Sequence, residues 1–298
     1  MTEMNENEKR RTYLLLVLTT VIWGIQPLCI KWLVTVWSPV TITAMRYFLI
    51  GMVLILLAVR RGEHWLPTKE CRLPLLLMGL TGIGLNTVMQ FTGLKLSTVT
   101  NCTLIAAASP AITVVLAAIF VRERLNFLAW IGILISFLGA LLVVSHGSLA
   151  VIRRFAFNWG DILFFLAQMA WTFYSLLGLR VMRHISAALT TGWAGLSGAF
   201  LASAYGMLTG DLQLVSLSPG LWGSFLYTVI LGGIMAMLFW NIGVKNAGPS
   251  ITSIFQNVTP VVGMLGGMWL FHEIIGPLEL AGAVAIFGGV YLTTHSGQ

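Results

Sequence analysis

The residues of this chain that could do chemistry are neutral amides and aromatic rings inside long apolar segments. The candidate site residues are Trp23, Gln26, Asn86, Gln90, Asn101, Gln168, Trp171, Tyr174, Trp240, Gln256 and Asn257, with Asn241 as a further amide. Amides donate and accept hydrogen bonds without charge, and aromatic rings offer flat walls and cation–π contacts. Polar groups at membrane depth usually mark a pathway. The set predicts a binding cavity for a zwitterionic or polar neutral solute, although any single amide could instead bridge two helices.

The spacing of these residues places several of them on shared helix faces. Asn86 and Gln90 are four residues apart, and Gln168, Trp171 and Tyr174 follow one another at intervals of three. Residues three or four apart lie on the same face of an α-helix. Each group is therefore predicted to line one wall of the cavity.

Arg46 is the only charged residue well inside an apolar segment. It is about seven residues from the predicted outer end of its helix, which puts it roughly 10 Å deep at 1.5 Å per residue. Its guanidinium group could hold a substrate carboxylate, or it could extend outward to the lipid headgroups. Arg46 is accordingly a possible anion contact, with both interpretations open.

Catalytic and metal-binding groups are missing at this depth. None of the ten acidic residues lies firmly inside an apolar segment, although Asp161 comes closest, and the five histidines fall in loops or at segment ends. Cys29, Cys71 and Cys102 show no paired spacing. An intramembrane enzyme needs a nucleophile with a base, or metal ligands, so we expect no enzyme activity, no metal and no cofactor. The missing proton relay favours a facilitative carrier or an unusual coupling site such as Asp161.

The composition and the apolar runs of the chain predict which secondary structure positions these residues. The chain has 298 residues, of which 57% are hydrophobic and 9% are charged, with a mean hydropathy of +0.89, whereas soluble domains average about 25% charged residues. Its apolar runs are long and continuous, which favours spanning helices of about 20 residues over membrane strands of about 10. The sequence predicts an all-α integral membrane protein with roughly ten transmembrane helices. They are placed at 13–35, 39–59, 73–93, 98–121, 127–146, 159–179, 186–208, 219–242, 249–271 and 278–295.

The distribution of Lys and Arg predicts the orientation of these helices. With the N-terminus inside, twelve of the 17 basic residues fall in cytoplasmic segments and four in outer ones, and Arg46 is the remaining one. Cytoplasmic loops carry an excess of Lys and Arg, so both termini are predicted to be cytoplasmic in a multi-pass protein of the cell (inner) membrane. The net charge of +7 has the same origin, because no basic block is longer than Lys9-Arg10-Arg11. No nucleic-acid partner is expected.

The second half of the chain repeats the first. A shift of 150 residues superimposes Gly82 on Gly232, Gly93 on Gly243, Lys95 on Lys245, Pro110 on Pro260, Glu123 on Glu273, Gly132 on Gly282 and Gly139 on Gly289. Five helices per copy is an odd number, so the second copy enters the membrane upside down, as in many secondary transporters. We predict a disordered cytoplasmic tail at 1–12, a first repeat at 13–146, a connecting loop at 147–158 and a second repeat at 159–295.

Two of the repeated residues, Pro110 and Pro260, lie inside the fourth and ninth predicted helices. Proline removes a backbone hydrogen bond and frees a carbonyl group near the middle of the membrane. The prolines are therefore candidates for a hinge or gate, with a static kink that only improves packing as the alternative. Glu123 and Glu273 fall where one helix ends and the next begins, which helix capping explains better than catalysis.

The sequence resembles the drug/metabolite transporter superfamily, in particular its EamA-type members. The resemblance is carried by Trp23-Gly24, by the stretch from Gly93-Leu94-Lys95 through Ser109-Pro110 to Glu123-Arg124-Leu125, and by its echo from Gly243-Val244-Lys245 through Thr259-Pro260 to Glu273. It covers nearly the whole chain, and the second half departs from the first at Trp171-Thr172 and at His272-Glu273-Ile274. The resemblance implies ten helices in two inverted five-helix repeats around a central cavity, with alternating access. Known members export amino acids, other metabolites or toxic compounds, and some import.

These observations predict a secondary transporter that moves small organic metabolites, above all amino acids or their derivatives, out of the cell across the inner membrane. The alternatives are a multidrug or nucleoside-like metabolite exporter and an importer of the same solutes. A channel is disfavoured because the sequence holds no ring of charges and no filter motif. The expected partners are the small-molecule substrate and the lipid bilayer. Glycine-rich helix faces would serve either the bundle of a monomer or a homodimer.

Overall fold

The computed structural model describes residues 5–97, 105–122, 125–148, 150, 153, 158–271 and 275–296. Every regular element in these ranges is helical. Six of the described helices are long and apolar enough to cross a membrane, and they lie at Pro39–Arg60, Lys69–Gln90, Phe127–Val144, Trp159–Val181, Pro219–Ala247 and Pro277–His295. The prediction of an all-α membrane protein is confirmed. Asn101, Glu123 and Glu273 lie outside the described residues.

The described helices follow the predicted apolar segments. They are α1 (Glu6–Leu33), α2 (Pro39–Arg60), α3 (Lys69–Met78, Gly79–Leu85 and Asn86–Leu96), α4 (Ser109–Phe120), α5 (Phe127–Val144), α6 (Trp159–Val181), α7 (Ala187–Thr209), α8 (Pro219–Val229, Ile230–Met235 and Ala236–Ala247), α9 (Pro249–Ile254, Phe255–Val258 and Thr259–Phe271) and α10 (Pro277–Ser296). Several begin at a capping residue. Ser38 and Ser186 each accept a hydrogen bond from the backbone N–H three residues later, which satisfies a donor that a helix start leaves unpaired.

Helix α1 begins earlier than predicted. The Asn5 side chain accepts a hydrogen bond from the backbone N–H of Glu8, and the Glu8 carboxylate accepts one from the backbone N–H of Asn5. This capping box satisfies two donors at the helix start. The prediction that residues 1–12 are disordered is therefore wrong for residues 6–12, which form the first turns of α1.

Three helices change their helical type along their length. The middle of α3, Gly79–Leu85, is a π-helix, and so is Ile230–Met235 in α8. Helix α9 contains a 3₁₀ turn at Phe255–Val258. Such changes inside a helix are frequent at functional sites and hinges. Helices α3, α8 and α9 are therefore candidates for positioning the functional site.

Contacts divide the chain into two compact units. The first unit comprises Met1–Val88 and Ala170–Asn246, and the second comprises Met89–Met169 and Ala247–Gln298. The first unit thus contains α1, α2, most of α3, the second part of α6, α7 and α8. Each unit therefore combines helices from both predicted repeats.

Glycine allows close packing in the first unit, between α7 and its neighbours α2 and α3. A Cβ atom at Gly51 would lie 2.8 Å from the Gly192 carbonyl oxygen, and one at Gly79 would lie 2.6 Å from the Gly198 nitrogen. No hydrophobic force drives helices together within lipid, so close approach through small residues contributes much of their association.

In the second unit, α5 and α10 pack along four glycines. A Cβ atom at Gly139 would lie 2.6 Å from the Gly282 carbonyl oxygen, and one at Gly132 would lie 2.7 Å from the Gly289 carbonyl oxygen. The Thr293 hydroxyl lies 2.8 Å from the Gly289 carbonyl and 3.3 Å from that of Ala129 on α5, which links the two helices. Residue numbers rise along α5 while they fall along the facing side of α10, so the two helices are antiparallel.

Candidate functional site

Three tryptophans of the first unit, Trp23 of α1, Trp171 of α6 and Trp240 of α8, meet in a cluster that we call the tryptophan triad. Their ring centroids are 5.6 Å apart for Trp23 and Trp171, 5.4 Å for Trp23 and Trp240, and 5.6 Å for Trp171 and Trp240. Tyr174 stacks on Trp171 with centroids 5.0 Å apart and an interplanar angle of 9°. Aromatic pairs at such separations attract one another. The structure therefore brings together four of the residues that the sequence singled out.

The three indole N–H groups of the triad differ in their hydrogen-bond acceptors. Trp23 Nε1 donates to the Gly232 carbonyl at 3.0 Å, and Trp240 Nε1 donates to Ser175 Oγ at 3.1 Å. Trp171 Nε1 is buried and has no hydrogen-bond partner within the described residues. Buried polar atoms are normally paired, so Trp171 Nε1 is an exception among the described residues.

Asn241 of α8 extends the triad with a fully buried amide. Its Nδ2 donates to the Tyr174 hydroxyl and to Thr191 Oγ1, at 2.7 Å in both cases. Its Oδ1 has no partner in the described part of the chain. Trp171 and Asn241 both contact Tyr174, and together they hold one donor and one acceptor without a partner among the described residues.

Arg46 of α2 is buried in the first unit, with 6% of its surface exposed. Its Nε donates to the Thr228 carbonyl of α8 at 2.9 Å, and its Nη2 donates to Gln26 Oε1 at 3.0 Å. The guanidinium carbon also lies 5.1 Å from the centre of the Tyr47 ring. These contacts hold the side chain inside the unit rather than extended toward lipid headgroups.

The π-helix of α8 joins the arginine to the tryptophan triad. Gly232, within that π-helix, accepts the Trp23 indole N–H. A Cβ atom at Gly232 would collide with Gln26 Oε1 and would lie 3.5 Å from Arg46 Nη2. Gln26 follows Trp23 by about one helical turn. The triad, Gln26 and Arg46 therefore form one continuous site on α1, α2, α6 and α8.

The other amides predicted from spacing are distributed over both units. Asn86 is half-buried directly after the π-helix of α3 in the first unit, whereas Gln90 is half-buried in the second unit. Gln168 is buried in the second unit, while Trp171 and Tyr174 belong to the first. Each group lies on one helix, as its spacing predicted, and within the first unit Trp171 and Tyr174 lie together at the triad.

Asn257 of α9 is buried in the second unit. Its Nδ2 donates to Ser136 Oγ of α5 at 3.0 Å, and its Oδ1 has no partner among the described residues. Asn257 therefore bridges two helices, which was the alternative left open for any single amide. Its neighbour Gln256 is half-buried.

Acidic, histidine and cysteine side chains do not gather into a metal site within the described ranges. The most deeply buried carboxylate there, Asp161, lies at the start of α6 in the second unit. It accepts hydrogen bonds from the Ser97 hydroxyl and, at 2.9 Å, from the backbone N–H of Asn158, while Asn158 Oδ1 accepts the Asp161 N–H at 3.1 Å. This reciprocal pattern is that of a capping box, which gives Asp161 a structural role at a helix end.

Both predicted hinge prolines follow a hydrogen bond or turn of the 3₁₀ type. Pro110 comes just after a turn in which the Ala108 N–H donates to the Ile105 carbonyl, three residues earlier, at 3.0 Å. Pro260 comes just after the 3₁₀ turn at Phe255–Val258. Bonds to the third residue back define 3₁₀ geometry. The 3₁₀-type bond at 105–108 and the 3₁₀ turn at 255–258 are separated by the same 150-residue shift as the repeat.

A sequence model of the EamA-like transporter family matches residues 10–145 and 158–295 of this chain. The chain belongs to the EamA-like transporter family. It is 29% identical over 262 residues to the uncharacterized transporter YyaM of Bacillus subtilis (strain 168), which covers 87% of this chain and 86% of YyaM. It is 27% identical over 280 residues to the uncharacterized inner membrane transporter YedA of Escherichia coli (strain K12), which covers 92% of this chain and 87% of YedA.

A solved crystal structure superimposes on this EamA transporter with a TM-score of 0.78, covering 96% of this chain and 97% of the other. The two sequences are 20% identical, so the likeness shows the fold alone. Family membership and the described spanning helices together make this chain a multi-pass membrane transporter. Its relatives are named as transporters, which indicates a protein other than an enzyme.

Two features of the continuous site in this EamA transporter were not predicted from the sequence. These are the carbonyl groups of Thr228 and Gly232, which accept the Arg46 and Trp23 side chains, and the π-helix that begins just after Thr228. The sequence feature that could have indicated these acceptors is the pair Gly232-Gly233, because glycine lets another group approach the backbone closely. Backbone acceptors carry no residue type that a sequence pattern can reveal.

The hinge interpretation of the EamA prolines leads to a prediction for α9. We expect Pro260→Ala to leave the fold stable and to slow transport about two- to tenfold, as hinge substitutions change turnover. Alanine restores a backbone donor and raises helix propensity, so α9 would bend less readily. Initial transport rates in proteoliposomes measure the effect. Pro249→Ala is the control, because proline at a helix start fits the helix without a kink. An unchanged rate in Pro260→Ala would identify a static kink.

Proposed function

We propose that this EamA transporter carries small organic metabolites, above all amino acids or their derivatives, out of the cell across the inner membrane by alternating access. The observation that carries the proposal is the continuous site of the first unit, where Arg46 lies beside the tryptophan triad. A guanidinium group pairs with a carboxylate, and indole faces attract an ammonium group. Trp171 Nε1 and Asn241 Oδ1 add an unpaired donor and acceptor among the described residues.

Contacts between α5 and α10 support the architecture of two inverted repeats. The 150-residue shift pairs Gly132 with Gly282 and Gly139 with Gly289, but the contacts cross over, joining Gly132 to Gly289 and Gly139 to Gly282. Such reciprocal crossing is what a two-fold axis produces between equivalent surfaces. Because the helices are antiparallel, this axis is perpendicular to them and lies in the membrane plane. An in-plane two-fold axis relates inverted-topology repeats.

The site in the first unit follows the same crossing pattern. Gly232 of α8 lies against Gln26 of α1, and its equivalent, Gly82 of α3, lies against Tyr174 of α6. Gln26 follows Trp23 by three residues, as Tyr174 follows Trp171. The two π-helices contain these two glycines. The pattern supports a substrate site on the axis between repeats, where inverted halves alternate access around fixed residues.

We infer ten spanning helices, five in each repeat, with the repeats at 13–146 and 159–295 and the loop 147–158 between them. The two segments matched by the family model, 10–145 and 158–295, lie close to these bounds and support them. The excess of Lys and Arg in alternate loops supports cytoplasmic termini. The inferred partners are the substrate and the bilayer, and a site built within one chain serves a monomer or a homodimer.

Two rival functions concern the solute and the direction of transport. A multidrug or nucleoside-like metabolite exporter is favoured by the triad, because aromatic walls bind flat molecules of many kinds. Arg46 opposes cationic drugs, because an unpaired positive charge repels them. Import of the same amino acids needs no change in the site.

Uptake of a radiolabelled amino-acid panel into proteoliposomes tests the proposal, with and without an imposed pH gradient. We expect saturable uptake that is weakened in Asn86→Ala, because an amide at the predicted cavity wall is lost. Faster uptake in the presence of the pH gradient would indicate proton coupling. An uptake rate that does not depend on the gradient would indicate facilitated diffusion. Liposomes without protein are the control. Uptake of drugs or nucleosides together with no uptake of any amino acid would overturn the amino-acid proposal.

A further inference from the structure

The buried guanidinium group of Arg46 has no anionic partner among the described residues. Arg46 forms no ion pair with an acidic residue in the part of the chain that the structure describes, where the ion pairs join His146 to Glu279 and His184 to Glu70. Both acceptors of Arg46, the Thr228 carbonyl and the Gln26 amide, are neutral. A charge taken from water without an opposite charge nearby is strongly unfavourable. Among the residues that the structure describes, no negative charge compensates that of Arg46.

Half of the guanidinium edge that carboxylates bind has no partner in the described part of the chain. An arginine side chain carries five N–H donors, and Nη1 of Arg46 donates to none of the described residues. Nη1 and Nη2 together form an edge that can donate two parallel hydrogen bonds to one carboxylate. Gln26 Oε1 holds only Nη2, at 3.0 Å.

Gln26 is placed where a substrate can displace it. Its side chain is half-buried, and its amide end lies where a Cβ atom on Gly232 would otherwise be. The amide offers Arg46 one neutral oxygen, whereas a carboxylate offers two oxygens and a full negative charge. The bond between Arg46 and Gln26 is charged on the donor side only, whereas a carboxylate adds the opposite charge and can accept two parallel hydrogen bonds from the guanidinium group. A carboxylate would therefore replace the amide at Arg46.

We propose that Arg46 is the anion-binding group of this transporter and that Gln26 is its neutral stand-in, which a substrate carboxylate displaces. Gln26 is then a specificity-determining residue. Because it is neutral, the positive charge of Arg46 remains available, and a solute with a carboxylate binds more tightly than the same solute with an amide. This inference rests on the proposed function, since it assigns the anion contact within that site.

Gln26→Glu is the variant that isolates this role. Glutamate has the same shape as glutamine, so it would occupy the Arg46 edge and neutralise its charge. We expect the variant to fold as well as the wild type and to lose the preference for carboxylates. Gln26→Ala removes the stand-in without adding charge, so it should retain the preference. Gln213→Glu makes the same chemical change at an exposed position of the first unit and is the matched control.

The measurement is heat stabilisation of the full-length protein in detergent by two matched probe pairs, L-tryptophan with L-tryptophanamide and indole-3-acetate with indole-3-acetamide. For the wild type and Gln213→Glu, we expect each carboxylate to act at concentrations about tenfold lower than its amide. For Gln26→Glu, we expect the carboxylate and the amide to act alike.

Three outcomes would overturn the inference: no carboxylate preference in the wild type, a preference that survives Gln26→Glu, or a preference lost in Gln26→Ala. The last would make Gln26 a positioning residue for Arg46. Stabilisation requires no transport. A retained carboxylate preference without any amino-acid transport would therefore refute the proposed function and leave the anion site intact.

Discussion

Trp171→Ala is expected to abolish saturable transport, with an initial rate at least about tenfold below that of the wild type, as for residues at the centre of a binding site. Trp171 contacts Trp23 and Trp240 with ring centroids 5.6 Å apart in each case, and Tyr174 at 5.0 Å. Each aromatic pair contributes about 0.5–1.5 kcal/mol. The substitution removes the ring that three others contact, and with it the buried indole donor without a described partner.

A conservative variant separates transport from folding at this position. Truncating a buried aromatic residue costs about 3–5 kcal/mol of stability, so transport by Trp171→Ala is normalised to the folded protein measured by size-exclusion chromatography. Trp171→Phe retains a six-membered aromatic ring and loses the pyrrole half of the indole, including Nε1, so we expect a smaller loss of stability than in Trp171→Ala and a raised KM. Trp159→Ala is the control, because Trp159 is 77% exposed. Full transport by folded Trp171→Ala would contradict a substrate role for the triad.

Gly289→Ala is expected to destabilise the protein by about 1–3 kcal/mol, the usual range for overpacking. A Cβ atom at this position of α10 would lie 2.6 Å from the Ser136 backbone nitrogen and would also collide with the Gly132 carbonyl oxygen. Both are backbone atoms of α5, so the clash is relieved only by moving the helices apart. Alanine's higher helix propensity, about 1 kcal/mol over glycine, offsets only part of this loss.

The neighbouring residue provides a matched control for this prediction. A Cβ atom at Gly288 would meet nothing within 4 Å, so Gly288→Ala keeps the gain in helix propensity without a clash. We expect its unfolding temperature in detergent to equal or exceed that of the wild type, while that of Gly289→Ala falls. Equal unfolding temperatures for the two variants would show that α5 and α10 are not in close contact through Gly289.

Local sequence was sufficient to predict the class of fold and the position of individual helices. The segment predicted at 39–59 is helix Pro39–Arg60, and the one predicted at 159–179 is helix Trp159–Val181. Both predictions depend on the length of an apolar run, which needs no knowledge of neighbouring helices. The start of α1 differs from the prediction, which rests on the polar composition of residues 1–12, although the Asn5 and Glu8 capping box that begins the helix is also a local motif.

The candidate site could be predicted only as a set of residue types. The sequence identified the tryptophans, the amides and Arg46 as unusual at membrane depth, and the 150-residue repeat indicated that two halves are involved. It did not show that the Trp171 N–H group has no partner in the described part of the chain, or that Gln26 contacts Arg46 there. Asn257, chosen on the same grounds, bridges α9 and α5.

The helices were predictable and the contacts of the site were not, because the interacting groups are separated by very different distances along the chain. Helix formation and capping join residues within one or two turns, so the types and spacing of nearby residues determine them. The bonds of the site join Arg46 to Thr228, 182 residues away, and Trp23 to Gly232, 209 residues away. The acceptors are backbone carbonyls at a π-helix, whose exposure to a side chain depends on how closely two helices pack. That distance is set by the folded chain as a whole, since glycines such as Gly232 leave space that a particular neighbour must fill.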